Sequence, residues 1–116
     1  MREDLLFHIT TKEDWKQFNN SGSYEPESLE SQGFIHCSTG EQVEDTANRL
    51  FAGEDEILLL VIDATTLHED IKYEKSEDTG DKFPHLYSPL NTNAIIDRIA
   101  IKAEDDGNFD IAFTTN

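Results

Sequence analysis

Three of the four histidines stand in segments with the character of strands, and each has a hydroxyl two residues further on: His8 with Thr10, His36 with Ser38, and His85 with Tyr87. In extended chain alternate side chains project to one face, so each imidazole and its hydroxyl point the same way. An imidazole near neutral pH can donate a proton, accept one or bind a metal, and the hydroxyl adds a second donor and acceptor beside it. Three such pairs in 116 residues predict a polar pocket, provided that the three faces converge. Taken one at a time, a histidine is more often a core or rim residue whose ring is satisfied by a backbone carbonyl. Three histidines can also hold a catalytic zinc with an open fourth position. No His-x-x-x-His or His-x-His spacing pre-forms such a site here, so metal is the weaker expectation.

Other reactive side chains are weighed in the same way. Cys37 follows His36 directly, and strand neighbours face opposite sides, so the two do not form a nucleophile–base pair. Burial as a small apolar group suits Cys37 better. Glu74 and Asp63 end strands, where carboxylates can reach a site. Asp63 is better read as a turn initiator, and Glu74 stays a candidate beside its bland reading as a surface charge. Arg49 reads as a surface cation paired in an acidic chain, and Trp15 as core.

The elements that must position these groups follow from periodicity. Leu5 to Thr10 reads as a strand with Leu5, Phe7 and Ile9 on one face and Leu6, His8 and Thr10 on the other. Thr10 or Thr11 can cap a helix that carries Trp15 and Phe18 on one side and stops at Asn19-Asn20-Ser21-Gly22. Ser23 to Gln32 reads as an irregular loop. Gly33 to Ser38 reads as a second strand, with Phe34, His36 and Ser38 opposite Ile35 and Cys37. Thr39 followed by Gln42 is a capping-box pattern, and the helix after it carries Val43, Ala47, Leu50 and Phe51 on one stripe and ends at Gly53. Glu56 to Asp63 is an apolar run of strand length and reads as a central strand buried on both faces.

Asp70 to Glu74 is a short strand. Phe83 to Leu90 is extended, and Pro84 and Pro89 keep it from being an ordinary central strand. Ala94 to Lys102 is a strand, Asp105 to Asn108 carries a hairpin signal, and Phe109, Ile111 and Phe113 alternate in a last strand. About six strands and two helices make an α+β domain, and residues 1–116 suit a single one.

Composition narrows the partners. Lys and Arg number 9 against 25 Asp and Glu, a formal charge of −16. Nonspecific binding to nucleic acid or to an anionic membrane needs clustered positive charge, which this chain lacks. A single cysteine rules out an intrachain disulfide and a Cys-rich zinc site. No apolar run approaches the roughly 20 residues of a membrane span, and a cytoplasmic location is the expectation.

Taken together, Phe7-His8-Ile9-Thr10, Trp15, Ser28-Leu29, Gly33-Phe34-Ile35-His36-Cys37-Ser38, Gln42, Ala47-Asn48-Arg49, Leu60-Val61-Ile62-Asp63, Tyr73-Glu74 and Phe83-Pro84-His85-Leu86-Tyr87-Ser88-Pro89-Leu90 resemble domain-of-unknown-function family 952, from about Leu6 to Ile101. Ser88 stands where that family usually has Gly. The family is similar in fold to the ADP-ribosyltransferase superfamily, whose members bind NAD in a cleft of a split, mostly antiparallel β-sheet with two main helices.

The resemblance implies that the Phe7-His8-Ile9-Thr10 stretch matches the superfamily's first-strand motif, with Ile9 in place of its Gly. It implies that His8 and Thr10 hold a ribose, that Ser28 lines the NAD site, and that His36 and Ser38 orient the leaving group. His85 and Tyr87 would then act at the reacting sugar. The transferases commonly carry a Glu on a late strand; here Phe83 to Ser88 has none, and Glu74, on another segment, is the nearest candidate. The expectation is a pocket for NAD or a related nucleotide that transfers ADP-ribose to an unknown acceptor or cleaves the nicotinamide bond. The rivals are a noncatalytic nucleotide-binding module and a metal-assisted hydrolase using the three histidines.

Overall fold

The computed structural model describes residues 5–76 and 79–111. Its architecture grows from one strand, β5 (Glu56–Asp63), whose six inner residues are all buried. Because it is apolar on both faces, β5 separates two cores. It lies between β1 (Leu5–Thr10) and β9 (Ile95–Lys102) and is antiparallel to both. Leu58, Leu60 and Ile62 join Leu6, Tyr24, Ile35, Leu86 and Leu90 on one face. Ile57, Leu59 and Val61 join Phe7, Ile9, Val43, Ala47 and Phe109 on the other. Each fully buried side chain of this size contributes about 1.5–3 kcal/mol against exposure, and alternation along β1 and β5 distributes that gain to both sides of one sheet.

The helices follow from local signals. Thr11 caps α1 (Lys12–Phe18) by accepting a hydrogen bond from the Asp14 N–H at 3.1 Å, with Glu13 and Asp14 favourably placed at the positive end of the helix dipole. Trp15 and Phe18, three residues apart, pack against the first core. The chain then turns back between β2 (Asn19–Asn20) and β3 (Ser23–Tyr24) through Ser21 and Gly22. Both turn residues have positive φ, 49° and 82°, as the tight two-residue hairpin turn demands. β8 (Leu90–Asn91) pairs with β3 to complete a small second sheet.

Residues 23–32 depart from the loop expected there. They hold β3 and the helix α2 (Glu27–Gln32), both too short to leave a periodic signal. Gly33 ends α2 in the left-handed conformation, with its N–H on the Leu29 carbonyl, so it is a helix cap. The strand expected from Gly33 to Ser38 shortens to β4 (Ile35–His36). α3 (Val43–Leu50) follows, and the Gln42 side chain accepts from the Thr39 N–H as in a capping box.

The third sheet has the order β4-β7-β6, from β6 (Ile71–Lys75) and β7 (Lys82–Leu86), so the proline-bearing strand is the middle one. Pro84 explains how it fits there and where the pairing stops. Against β6, Pro84 stands opposite Tyr73, at a position that needs no N–H because the ladder bonds fall at the flanking residues. Against β4, the Cys37 N–H donates to the Pro84 carbonyl at 3.1 Å, but Pro84 has no N–H to return. The ladder ends at His36. One residue further, Ser38 exchanges both backbone hydrogen bonds with Phe7 of β1, at 2.7 and 2.8 Å. The β-structure is therefore split, with residues 37–38 as the seam between two antiparallel sheets.

The strand expected at Phe109 to Phe113 is not formed in its described part, and Phe113 lies outside the described residues. Phe109 and Ile111 are buried against α3, and side chains of α3 take the place of a neighbouring strand. The Phe109 N–H donates to Asn48 Oδ1 at 2.6 Å, Asn48 Nδ2 donates to the Phe109 carbonyl at 3.2 Å, and the Ile111 N–H donates to Glu44 Oε1 at 2.7 Å. Asn48→Ala leaves a buried N–H and a carbonyl unsatisfied. It should lower stability by about 2–3 kcal/mol, read as a fall in the urea midpoint with an unchanged denaturant slope.

Candidate functional site

The seam places His8 of β1 and His36 of β4 beside each other, and the His36↔His85 pairing brings in β7. All three rings line one cavity of about 530 Å³. Thr10, Ser28 and Ser38 line it as well. Of the site residues expected from sequence, only Glu74 and Tyr87 stand back from the wall, and both reach it through His85.

His8 is buried and fully engaged. Its Nδ1 lies 2.6 Å from the His36 carbonyl, and its Nε2 lies 2.9 Å from the Tyr24 hydroxyl. A carbonyl only accepts, so Nδ1 carries the proton and Nε2 accepts from Tyr24. Burial pushes the imidazole down to about 4, so the ring is neutral at pH 7, as this bonding requires. The Thr10 side chain hydrogen-bonds Tyr24 in turn, and burial raises the Tyr24 phenol to about 12. His8 and Thr10 are thus tied to protein partners. The expectation that they grip a ribose gives way to a structural role, in which both ring nitrogens of His8 lock β1, β3 and β4 together.

The face of the third sheet carries the more available groups. Cross-strand neighbours at a position without ladder bonds bring their side chains close, and the rings of His36 and His85 lie 5.5 Å apart, edge to face. His85 stacks on Phe34 at 4.1 Å with a 13° tilt. Its Nδ1–H donates to Glu74 Oε1 at 2.9 Å, which leaves Nε2 to accept or deliver a proton. The Tyr87 hydroxyl donates to the same carboxylate oxygen. These two bonds, Tyr87 first, hold Glu74 below the usual carboxylate range, and the Tyr87 phenol is raised in return. Lys72 Nζ lies 5.0 Å above the Tyr87 ring. His36 Nε2–H donates to Gln32 Oε1 at 2.6 Å. Burial and then the proximity of His85 lower its pKa.

The result is a carboxylate–imidazole pair with a second imidazole beside it, an arrangement suited to general acid–base work. It is not a three-histidine metal site. His8 has no free ring nitrogen, and among the described residues no group of three His, Cys, Asp or Glu side chains is close enough to hold a metal ion. Cys37 lines the cavity, but it is buried and its thiol is pushed up to about 12, so it behaves as an apolar side chain and not as a nucleophile. Sequence reasoning missed Tyr24, because its segment read as a loop, and Phe34 as the platform for His85. It also missed Thr46, which lines the cavity, while Arg49, read as a surface cation, is exposed and borders the same cavity. The parity of α3 could have aligned those two, but their wall could not be foreseen.

A family model described as "Protein of unknown function (DUF952)" matches residues 9–98. A search of the curated proteins returns no match. Among solved structures, the crystal structure of protein CC0527 from Caulobacter crescentus is 34% identical, covers 91% of this chain and 93% of its own, and superposes with a TM-score of 0.81. The solution NMR structure of CC0527 matches at 34% identity and a TM-score of 0.77, over 90% of each chain. Among the described residues, no helix is long and apolar enough to cross a membrane.

The locked state of His8 gives a measurable pH dependence. Its folded pKa of about 4 lies below the unfolded value of about 6.5. Its contribution is therefore complete above pH 6.5 and is lost as pH falls toward 4, because the unfolded chain binds the extra proton. Between pH 6 and 5 the slope should approach about 1.4 kcal/mol per pH unit. Urea titrations across that range should show the slope in the parent and its loss in His8→Gln.

Proposed function

Since the chain belongs to the family described as a protein of unknown function, DUF952, its activity has to be read from the cleft, and we propose that it binds NAD or a related nucleotide there and acts at the bond between ribose and nicotinamide. One observation carries the reading. His36 and His85 share a wall of a cavity of about 530 Å³, and Glu74 orients the His85 ring from behind. A cavity of that volume is in the range of small-molecule and cofactor sites. Its mixed wall of aromatic, hydroxyl and imidazole groups suits a ring stacked beside a ribose. The ADP-ribosyltransferase-like cleft implied by the sequence resemblance points the same way.

In this reading His85 Nε2 takes the proton of the attacking water or acceptor hydroxyl as the bond from the ribose carbon to nicotinamide breaks. The bonding electrons leave with nicotinamide, which departs as a neutral base and needs no proton. Glu74 keeps the His85 tautomer fixed and stabilises the imidazolium that forms, and Tyr87 holds the carboxylate in place. The depressed pKa of His36 keeps it neutral at pH 7, so it orients the ligand through hydrogen bonds together with Ser28 and Ser38. His8 and Thr10 act by holding Tyr24 and the cleft floor.

Titration calorimetry with NAD and ADP-ribose, with chromatography of released nicotinamide, tests the proposal. Both ligands should bind. His85→Ala should cut nicotinamide release by about 10²–10⁴-fold while changing ADP-ribose affinity only slightly. Glu74→Gln, which keeps an acceptor oxygen but loses the charge, should fall in between. Binding without release from the parent chain would leave a noncatalytic binding module. No heat with either ligand at millimolar concentration, and no release, would end the nucleotide reading.

A further inference from the structure

The two imidazoles of the cleft differ in what stands behind them. His85 has a carboxylate on its bonded nitrogen, whereas His36 has the neutral side-chain amide of Gln32, with Nε2 2.6 Å from Oε1. Gln32 is the last residue of α2, and the left-handed Gly33 turns the chain so that the two side chains meet. The Phe34 ring packs edge to face on His36 at 4.9 Å, and the His85 ring does so at 5.5 Å, so the imidazole is held from two more directions. Among the described residues no group takes His36 Nδ1, and the ring lines the cavity. With the proton on Nε2, Nδ1 is a lone pair that can only accept. A neutral amide, unlike a carboxylate, does not favour the imidazolium, and burial disfavours it. Asp14 on α1 and Glu27 on α2 also line the cavity, and carboxylates only accept as well.

We propose that Gln32 is a positioning residue that holds His36 as a hydrogen-bond acceptor, and that the cleft thereby selects a ligand bearing nicotinamide over its nicotinic acid counterpart. The inference rests on the cleft being a nucleotide site and deepens it, because it names the form of the leaving group. An N–H of the carboxamide donates to His36 Nδ1. A carboxylate in its place has only lone pairs to set against that nitrogen, and it meets Asp14 and Glu27 as a like charge. Rejection of this kind, by an unpaired polar group, is stronger than any preference that shape alone supplies between two groups of nearly equal size.

The test reads the tautomer and the preference separately. Long-range nitrogen–proton NMR spectra of labelled protein should show the His36 proton on Nε2 in the parent and a mixture of tautomers in Gln32→Met. Gln32 is exposed, so Gln32→Met should melt as the parent does. Calorimetry then compares NAD with nicotinic acid adenine dinucleotide, and uses ADP-ribose as a control that lacks the ring. NAD should bind about tenfold more tightly than the acid form, or better. Gln32→Met should remove most of that preference and leave ADP-ribose affinity unchanged. The chain's charge of −16 disfavours the extra carboxylate in both proteins alike, so the difference between them reports Gln32. In a His36→Ala background Gln32→Met should have no further effect, because Gln32 acts through the ring. Nicotinamide alone should shift the His36 ring signals more strongly than nicotinate does.

A His36 proton found on Nδ1 in the parent would overturn the inference, since the ring would then offer a donor. A preference for NAD that survives Gln32→Met would remove the role of Gln32. Equal binding of NAD and its acid form, with ADP-ribose also bound, would overturn the selectivity while leaving the nucleotide reading in place. Nicotinamide acting on His36 where nicotinate does not, with no affinity for NAD or ADP-ribose, would keep the amide subsite and overturn the nucleotide reading instead. No response to any of these ligands would end both.

Discussion

Residues 36–38 carry the chain from the third sheet to β1, and the rest of the site depends on how their backbone polar groups are satisfied. Buried N–H and C=O groups must find partners. The His36 carbonyl takes the ring of His8, the Cys37 N–H takes the carbonyl of Pro84, and Ser38 exchanges both its bonds with Phe7. The missing N–H of Pro84 turns this from a continuous ladder into a change of partner. A residue able to donate at position 84 could extend the β4–β7 pairing. The proline stops it where the chain has to cross to β1. The cleft opens at that crossing, and for this reason histidines from three distant strands meet there.

The same crossing gives the imidazoles different roles. His8 lies beneath the seam, where burial removes its charge and protein groups occupy both nitrogens. It works as a polar rivet, and polar groups in such a place are stabilising only when every bond is made. His85 lies at the surface of the third sheet, where a carboxylate fixes one nitrogen and leaves the other open. Environment separates the two roles although the sequence context of the two histidines is alike, each in an extended run with a hydroxyl two residues on. Glu74 shows the complementary effect. Eleven positions from His85 in the chain, it becomes a near neighbour because β6 and β7 pair antiparallel and place it opposite Phe83.

Much of the fold was legible because it depends on periodicity. The double-sided burial of Glu56–Asp63, the two faces of Leu5–Thr10, and the opposition of Ile35 and Cys37 to His36 follow from the two-residue repeat of a strand. That repeat holds wherever one face is buried. Short elements escaped: two-residue strands and a six-residue helix carry too few residues for any repeat to show, so residues 23–32 read as loop and Tyr24 was lost with them. The end of the chain misled in the opposite direction. Phe109 and Ile111 alternate as a strand would, but alternation records burial and not the partner. The partners are the side chains of Asn48 and Glu44, which no local pattern encodes.

What the sequence determined by itself was the inventory and the parity: which side chains share a face of a strand, and that a helix begins just after Thr10-Thr11. Tertiary structure alone decided which of those faces meet. It set His8 beneath a carbonyl and a phenol, and put Glu74 behind His85. Local pattern depends on residues a few positions apart, whereas the bonding of a side chain depends on groups brought together from tens of positions away. For this protein those long-range pairings are what distinguish a structural histidine from a reactive one.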